Sequence, residues 1–422
     1  MGERARVTEE DELFLRLDRP GEPWSVHAEV WVGGKLDAER LQSALGAAME
    51  RHPMARASLS GDGAWAIADN AKPTLEIADC ALEAELDRLR ERVLSSTPSL
   101  QEAPPFSLML VRCPGRDALI LNLNHGVGDG IGAFRLLASI LRAYAGEPDP
   151  LPDVDPLRMR DLREFAGRRT VTDRLRRIRE RSENREKESG PPVRVASATR
   201  RSQGVGGLHL LRLAPDKLER ARARRRAPAT FNDLLLASLA IAVRGWNDER
   251  GIPPAPILLT VPVNIRPSEW SAELIANLAA TLAVSIPPDA QTDLDTAQLA
   301  VAERTQRLKA QDFAEMLASG GVIPVWVRRL LGPLLPAPSE EPVETAVLSN
   351  VGRPELPARL GPDVPVEALW FSPPVRMPAG LALGIGASKA GLFVTLRYGP
   401  ELFDADAAES FSARFLDALL GG

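Results

Sequence analysis

The sequence predicts an α/β fold in two halves, and three observations support this prediction. Strand patterns and amphipathic helix patterns follow one another in both halves, which is typical of mixed sheets covered by helices. The chain has 422 residues, more than one ordinary core usually holds. A charge-rich stretch with few large apolar residues separates the halves. We therefore predict an N-terminal subdomain at 1–160, a crossover linker at 161–205 and a C-terminal subdomain at 206–422.

In the first half, periodicity predicts helices at 8–17, 37–52, 82–95 and 131–145, and strands at 24–33, 64–78, 106–112 and 119–124. Asp37 is the predicted N-cap of the second helix. His27 falls in a strand and His52 at a helix end, and we expect both to be structural.

In the second half, the patterns predict strands at 207–213, 257–266, 276–287, 346–352, 381–387 and 391–398, and helices from 215, at 230–243, 292–315 and 404–419. The helix at 230–243 is apolar nearly all round, so it should be buried, with a cap at Thr230 or Asn232. For the apolar stretch 322–336 we favour an ordinary core helix over a lid or lipid-facing helix.

The composition is that of an ordinary globular chain and excludes several classes of function. Hydrophobic residues make up 44% and charged residues 26%. The net charge of −5 argues against a nucleic-acid partner, which would require a basic face. Cys80 and Cys113 are too few for a disulfide framework, and four scattered histidines offer no metal-ligand cluster. We expect no metal and no bound cofactor.

The amino terminus lacks the apolar core of a secretory signal. No run of the sequence reaches the roughly 18 apolar residues that a transmembrane segment requires. We therefore expect a cytoplasmic protein, for which peripheral contact with lipid stays open.

One turn carries most of the chemical information. The apolar strand 119–124 runs into His125, and the helix that follows Asp129 has one apolar face. Three glycines between them allow backbone angles that a β-carbon would block. His125 and Asp129 are thus held where a strand ends and a helix begins, which is a rigid place for a proton-transfer group.

Each feature of the turn also has a simpler interpretation. A single histidine is more often structural than catalytic, and an aspartate before glycine is often only a turn former. The run 128–133 fits the G-x-G-x-x-A dinucleotide fingerprint, but a loop at 146–153 stands where that fingerprint needs a second strand with a terminal acid. We therefore do not favour dinucleotide binding.

The turn resembles the His-His-x-x-x-Asp-Gly signature of the condensation-domain and chloramphenicol-acetyltransferase superfamily of acyltransferases. Asn124 stands in place of the first histidine, while His125, Asp129 and Gly130 match the second histidine, the aspartate and the glycine. Further pieces, in order, are similar to the bacterial wax ester synthase/diacylglycerol acyltransferase branch, which includes the polyketide-associated acyltransferases: 10–15 with 51–56, 230–233, 261–266, 277–287 and 349–352. The similarity covers most of the chain.

The resemblance implies two chloramphenicol-acetyltransferase-like subdomains with an active-site channel between them, and it makes His125 the catalytic residue. It also implies that Asp129 pairs with a buried arginine, for which Arg266 is the candidate by motif position. Asp129, Gly130 and Arg266 would then hold the site without transferring protons. The implied co-substrates are an acyl thioester, on coenzyme A or on an acyl carrier protein, and an alcohol or amine acceptor from lipid or secondary metabolism.

The chemistry agrees with these residue types. An imidazole with an ordinary pKa of about 6.5 can take the proton of an alcohol as the alcohol attacks a thioester, and return it to the leaving thiolate. No acyl-enzyme is needed if both substrates share the channel. The donors that stabilise the oxyanion stay open among the amides of the turn and four side chains, each of which can also be an ordinary turn or strand-end residue: Asn124, Asn277, Ser349 and Asn350.

Three functions stay open from the sequence. The leading hypothesis is an O-acyltransferase that forms an ester with His125 as general base. The alternative is a free-standing condensation enzyme that takes a carrier-bound acyl group and forms an ester or amide, with the arginine-rich stretches 174–185 and 220–226 docking an acidic carrier. A solvated face is the simpler interpretation of both stretches. The third is a catalytically silent binding module, for which Asn124 is the argument.

Overall fold

The computed structural model describes residues 3–19, 21–72, 74–149, 154–161, 191–199, 206–266, 274–316 and 344–421. Most of the predicted linker, its arginine-rich stretch at 174–185 and the predicted apolar helix at 322–336 lie outside these residues. Within the described ranges, no helix combines the length and the apolar character needed to cross a membrane.

The helices follow the predicted order closely. They are α1 Glu9–Leu17, α2 Ala38–Arg51, α3 Glu83–Leu94, α4 Gly130–Ala145, α5 Pro215–Ala223, α6 Phe231–Asp248, α7 Leu294–Met316 and α8 Ala405–Leu420.

The strands alternate with these helices. They are β1 Arg4–Ala5, β2 Ser25–Gly33, β3 Ala57–Leu59, β4 Trp65–Ile67, β5 Leu75–Asp79, β6 Phe106–Cys113, β7 Arg116–Asn124, β8 Gly207–Leu213, β9 Ile257–Asn264, β10 Ala279–Ile286, β11 Ala346–Asn350, β12 Val366–Ser372, β13 Leu381–Ser388 and β14 Gly391–Tyr398.

The strands form two mixed sheets, one in each half, and a small third sheet. The order is β12-β2-β7-β6-β5 in the N-terminal sheet, β10-β9-β11-β13-β14-β8 in the C-terminal sheet and β1-β4-β3 in the small one. Each large sheet combines parallel with antiparallel pairs, for example β5 parallel to β6 and β2 antiparallel to β7. The predicted α/β class with two layered halves is confirmed.

Each half has its own hydrophobic core. In the first half α2 packs against α4 beside β2, and in the second half α6 packs against both α7 and α8. Trp246 on α6 makes edge contacts with Phe403 and Phe411, at centroid distances of 5.1 and 5.6 Å. Burying an aromatic side chain of this kind contributes about 1.5–3 kcal/mol.

The predicted helix caps are present. Asp37 accepts a hydrogen bond from the Arg40 amide at 2.7 Å and begins α2. Thr230 begins α6 in a capping box with Asp233, whose second carboxylate oxygen accepts a bond from the Thr305 hydroxyl at 2.9 Å. The cap of α6 therefore also joins this helix to α7.

One strand of the C-terminal half belongs to the N-terminal sheet. β12 runs antiparallel to β2, with Trp370 opposite Glu29 and Phe371 opposite Ala28. The predicted subdomain 206–422 thus contributes an edge strand to the predicted subdomain 1–160. The division at residues 160 and 205 itself stays a prediction, since the linker lies largely outside the described ranges.

Candidate active site

His125 lies in the turn between β7 and α4, at the end of the N-terminal sheet. The pairing of β2 with β7 sets Ser25 opposite Asn124, so the preceding residue, Trp24, lies next to the turn. The His125 amide donates to the Trp24 carbonyl at 3.3 Å. These contacts place the histidine where the first sheet faces the second half.

A cavity of about 250 Å³ lies between the two halves, with His125 on its wall. The first half contributes residues of α1, β2 and the His turn. The second half contributes residues of β9, β10, β11 and β12, together with Glu344 before β11 and the segment after β12. Most of the wall is apolar, with a few polar groups, as is typical of small-molecule sites. The apolar residues include Leu13, Leu17, Val26, Val347 and Phe371.

The ring of His125 stacks on Phe14 from α1. The two ring centroids are 3.8 Å apart and the ring planes are inclined by 22°. Burial lowers the pKa of His125, while its own carbonyl, the Asp129 carboxylate and the Asn277 side chain oppose this shift. The imidazole is therefore neutral at pH 7 and able to accept a proton. Its Nδ1 is buried and forms no hydrogen bond with a described residue.

Asp129 and Arg266 meet in a buried ion pair. The two terminal nitrogens of the Arg266 guanidinium each donate to the Asp129 carboxylate at 2.8 Å. Arg266 also donates to the Ala276 carbonyl at 2.9 Å. Asp129 caps α4 through the Gly132 amide and accepts a bond from the Leu278 amide at 3.1 Å. Its lone pairs are thus occupied in holding the turn against the second half, and Arg266 keeps its pKa low.

Asn277 holds the backbone of the His turn from behind. Its amide nitrogen donates to the carbonyls of His125 at 2.9 Å and Gly126 at 3.1 Å, and to the Asp11 carboxylate at 3.1 Å. Asp11 in turn accepts bonds from Trp65 and Arg160 at 3.0 and 2.7 Å. This buried network connects α1 and the small sheet to the turn.

The predicted oxyanion donors fall into two groups. Asn124 donates to the Pro98 carbonyl at 2.9 Å and accepts from the Gly126 amide at 2.8 Å, so its side chain is used within the first half. Neither Asn124 nor Asn277 belongs to the cavity wall, whereas Ser349 and Asn350 do. The Asn350 side chain is bonded to Asn232 and the Gly352 amide. Ser349 is therefore the candidate whose hydroxyl has no hydrogen bond to another described residue.

Gly130 begins α4 at a point of very close packing. A β-carbon built on it would lie 2.6 Å from Phe371 Cε2 and 2.9 Å from Val351 Cγ1. Both neighbours line the cavity from the second half. Glycine at this position therefore lets the two halves approach each other beside His125.

Several residues of the site were not identified from the sequence. Phe14, Trp24 and Arg376 line the cavity, and Asp11 anchors the network behind it. The sequence feature that includes Asp11 is the capping box of α1, formed by Thr8 and Asp11. It indicates where the helix begins, but not that Asp11 supports the site. The side chains come from segments far apart in sequence, so their meeting is a property of the fold.

The other titratable clusters lie outside the cavity wall. His27 is buried on β2, and the His52 ring forms a hydrogen bond with the Ser139 hydroxyl at 2.8 Å. Cys80 and Cys113 are buried and free. Among the described residues, no group of three His, Cys, Asp or Glu side chains is arranged to hold a metal ion.

The fold and this site define the class of protein. The structure is similar to the first condensation domain of the calcium-dependent antibiotic synthetase in complex with a substrate analogue, with a TM-score of 0.74, 18% identity and coverage of 99% of this chain and 96% of that chain. It is also similar to a mutant of the starter condensation domain of rhizomide synthetase RzmA in complex with C8-CoA and Leu-SNAC, with a TM-score of 0.71, 14% identity and coverage of 99% and 94%. The predicted resemblance to the condensation-domain and chloramphenicol-acetyltransferase-like superfamily is thus confirmed at the level of the fold.

Sequence relatives narrow this class. The chain belongs to the family of the uncharacterized protein Rv2305 of Mycobacterium tuberculosis, to which it is 34% identical over 443 residues, covering 100% of both chains. It is also 28% identical over 275 residues to Rv3087 of the same organism, which carries the name of a diacylglycerol O-acyltransferase, covering 58% of this chain and 57% of that protein. No protein-family model matches the sequence.

Proposed function

We propose that this protein transfers an acyl group from a thioester, acyl-CoA, to an alcohol, with His125 as the general base and without an acyl-enzyme. The observation that carries the proposal is the position of His125: a neutral imidazole on the wall of a cavity that both halves line. The fold supports an enzyme of the acyltransferase type, and the donor, acceptor and catalytic base are the parts proposed here.

The reaction follows from the groups at the site. The Nε2 of His125 takes the proton of the alcohol as its oxygen attacks the thioester carbon, which gives a tetrahedral oxyanion. Collapse of this intermediate breaks the C–S bond, and His125 returns the proton to the thiolate. Holding both substrates in one cavity supplies much of the rate by proximity. The Ser349 hydroxyl is the side chain we propose as oxyanion donor, because it lies on the wall and is free to reorient.

The buried ion pair is proposed to position the turn and not to move protons. The Asp129 carboxylate already accepts hydrogen bonds from Arg266 and from two backbone amides, so we assign it no contact with the substrate. Asn124 and Asn277 support the same turn through carbonyls. Proton transfer is thus assigned to His125 alone.

The proposal is tested by thiol release from octanoyl-CoA with a panel of alcohols. Replacing His125 by alanine should lower turnover by roughly 10²–10⁴-fold, the usual contribution of a general base, while circular dichroism stays unchanged. The matched control is His209→Ala on β8, which does not line the cavity and should retain full turnover. Full turnover by the His125 variant would exclude the proposed role.

The same assay separates the two alternatives. A carrier-dependent condensation enzyme would require the arginines at 220–226, yet Arg222 pairs with Glu219 and Arg226 with Asp295, at 2.6 and 2.9 Å. Arg224 donates to the Ala418 carbonyl. If the protein uses a carrier-bound acyl group, charge reversal at Arg224 to Arg226 should cripple transfer from the acyl carrier protein and change transfer from octanoyl-CoA little; equal transfer from the carrier by this variant and the unaltered protein favours the free thioester. Any thiol release that depends on His125 excludes a silent binding module.

A further inference from the structure

A cation lies on the cavity wall without a carboxylate partner. Arg376 follows β12 and lines the cavity, and it forms no ion pair with another residue in the described ranges. Its Cζ is 5.7 Å from the centroid of the Trp24 ring, which lines the same cavity. The face of the indole orients the guanidinium, but a neutral ring does not cancel its charge. Glu344 also lines the cavity, but it has an interaction of its own and does not pair with Arg376, so the charge of Arg376 is not cancelled by a described carboxylate.

A second arginine lies behind the same part of the wall. Arg397 on β14 is only 5% exposed and donates to the carbonyl of Pro373, a residue of the cavity wall, at 3.3 Å. No described carboxylate pairs with it, and burial lowers its pKa to about 10. The buried carboxylate of Glu29 lies on β2, the strand that pairs with β12. It accepts hydrogen bonds from Arg90 at 2.6 and 3.0 Å, so it is already paired with another arginine. A buried, uncompensated guanidinium is costly, and its field adds to that of Arg376.

The indole of Trp24, next to Arg376, carries a hydrogen-bond donor without a partner among the described residues. Its Nε1 is buried and has no acceptor among the described residues. The backbone of Trp24 is also bonded to the backbone of the His turn, since its carbonyl accepts a hydrogen bond from the His125 amide at 3.3 Å. Arg376, Trp24 and the residue proposed to activate the acceptor thus line the same cavity.

We propose that Arg376, supported by Arg397 and Trp24, binds a carboxylate on the acceptor, so that the acceptor is a hydroxy acid. The proposal rests on the proposed function and deepens it. Carboxylates and phosphates both suit a guanidinium. In acyl-CoA, however, the long pantetheine arm separates the phosphates from the thioester. A short hydroxy acid in this cavity lies along a wall that holds both Arg376 and His125, whereas the phosphates of the donor lie far from its reacting carbon.

The hydroxyl of such an acid reacts as described above. Its oxygen bonds to the acyl carbon, the C–S bond breaks, and the hydroxyl proton passes through His125 to the thiolate of coenzyme A. The carboxylate stays ionised and bound to Arg376 throughout. Arg376 is therefore a residue that determines specificity, and it takes no part in the proton transfer.

The test compares two acceptors of the same length, 3-hydroxyoctanoate and 3-hydroxyoctanamide, with octanoyl-CoA as donor. We expect kcat/KM to favour the acid by about 10- to 100-fold, the effect of one charge-assisted hydrogen bond. Arg376→Gln should remove this preference, and Arg376→Lys should keep part of it. The exposed Arg222→Gln on α5 is the matched control and should keep the full ratio. An acid-to-amide ratio that Arg376→Gln leaves unchanged overturns the proposal.

Two further measurements are needed. One distinguishes a carboxylate of the acceptor from a phosphate of the donor, and the other distinguishes failure of the binding subsite from failure of the proposed function. If Arg376→Gln raises KM for octanoyl-CoA but not for the octanoyl thioester of N-acetylcysteamine, the arginine binds a donor phosphate and the assignment to the acceptor is wrong. Calorimetry with 3-hydroxyoctanoate needs no turnover: the His125→Ala protein should bind it at least about 10-fold more tightly than the His125→Ala, Arg376→Gln protein. Equal binding overturns the subsite even if transfer is observed, while tighter binding without any transfer contradicts only the proposed function.

Discussion

Asp129 and Arg266 lie in different halves of the chain and meet in a buried two-point ion pair, with both N···O distances at 2.8 Å. Asp129 stands at the start of α4, and Arg266 lies two residues after the end of β9. The same carboxylate accepts bonds from the amides of Gly132 and Leu278. The conformation of the His turn therefore depends on both halves being folded together.

Breaking this ion pair should destabilise the protein strongly. Arg266→Met leaves the Asp129 carboxylate buried without its cation, which costs about 3–5 kcal/mol in the free energy of unfolding. Urea unfolding followed by tryptophan fluorescence measures the loss. The control is Arg222→Met, which breaks an exposed pair with Glu219 and should cost less than about 1 kcal/mol. A loss below 1 kcal/mol for Arg266→Met would mean that the pair is dispensable.

His52 should make stability depend on pH in the acidic range. Burial and the neighbouring arginines lower the pKa of His52 to about 3, while the unfolded chain titrates it near its ordinary value of 6.5. Between these values the unfolded state binds the extra proton, so stability falls as the pH falls. His52→Gln should flatten the curve between pH 6.5 and about 3 by up to about 1.4 kcal/mol per pH unit. An unchanged slope in urea titrations at several pH values would contradict this assignment.

Phe14 should control the acid limb of the pH–rate profile. Its ring covers His125, and burial lowers the pKa of the imidazole, so kcat/KM should hold its plateau below pH 6.5 before it declines. Phe14→Ala admits water and should move this inflection upward, toward the ordinary histidine value. The control is Arg16→Ala on the same helix, whose side chain pairs with Glu12. An inflection that stays in place would assign Phe14 a packing role only.

Gly130→Ala should damage both stability and transfer. The added β-carbon would lie 2.6 Å from Phe371 Cε2, and overpacking of this kind costs about 1–3 kcal/mol. Because Phe371 lines the cavity, transfer should fall along with the melting temperature. Gly61→Ala is the matched control, because a β-carbon there meets nothing within 4 Å, and it should leave both quantities unchanged. Equal melting temperatures for the two variants would refute the packing argument.

Periodicity predicted the strongly patterned elements. It missed the short strands β1 and β3 and the strand β12, and the strand predicted at 64–78 is two strands, β4 and β5, in different sheets. The helices α2, α4, α6 and α8 have clear faces and caps, and their predicted bounds lie within a few residues of the structure. No element was predicted at β12, because only some of its residues are buried and the strand pairs with a distant part of the chain. Local sequence does not show that a strand of one half pairs with the sheet of the other half.

The site was predictable where a local motif carries the chemistry. The strand, turn and helix around His125 lie together in one short stretch, so their geometry can be inferred from spacing. Arg266 was reached through a resemblance to a family, whereas Arg376 and Trp24 had no such motif. Their roles arise from burial and from missing counter-charges, which exist only after folding.

The place of β12 in the N-terminal sheet also determines whether the two halves can fold as separate fragments. An N-terminal fragment that ends at the linker would lack β12 and leave one edge of β2 without hydrogen-bond partners. An exposed edge of this kind is a template for aggregation. Two fragments expressed apart should therefore be insoluble singly and recover a native sheet only when they refold together, so this chain behaves as one cooperative unit despite its two cores.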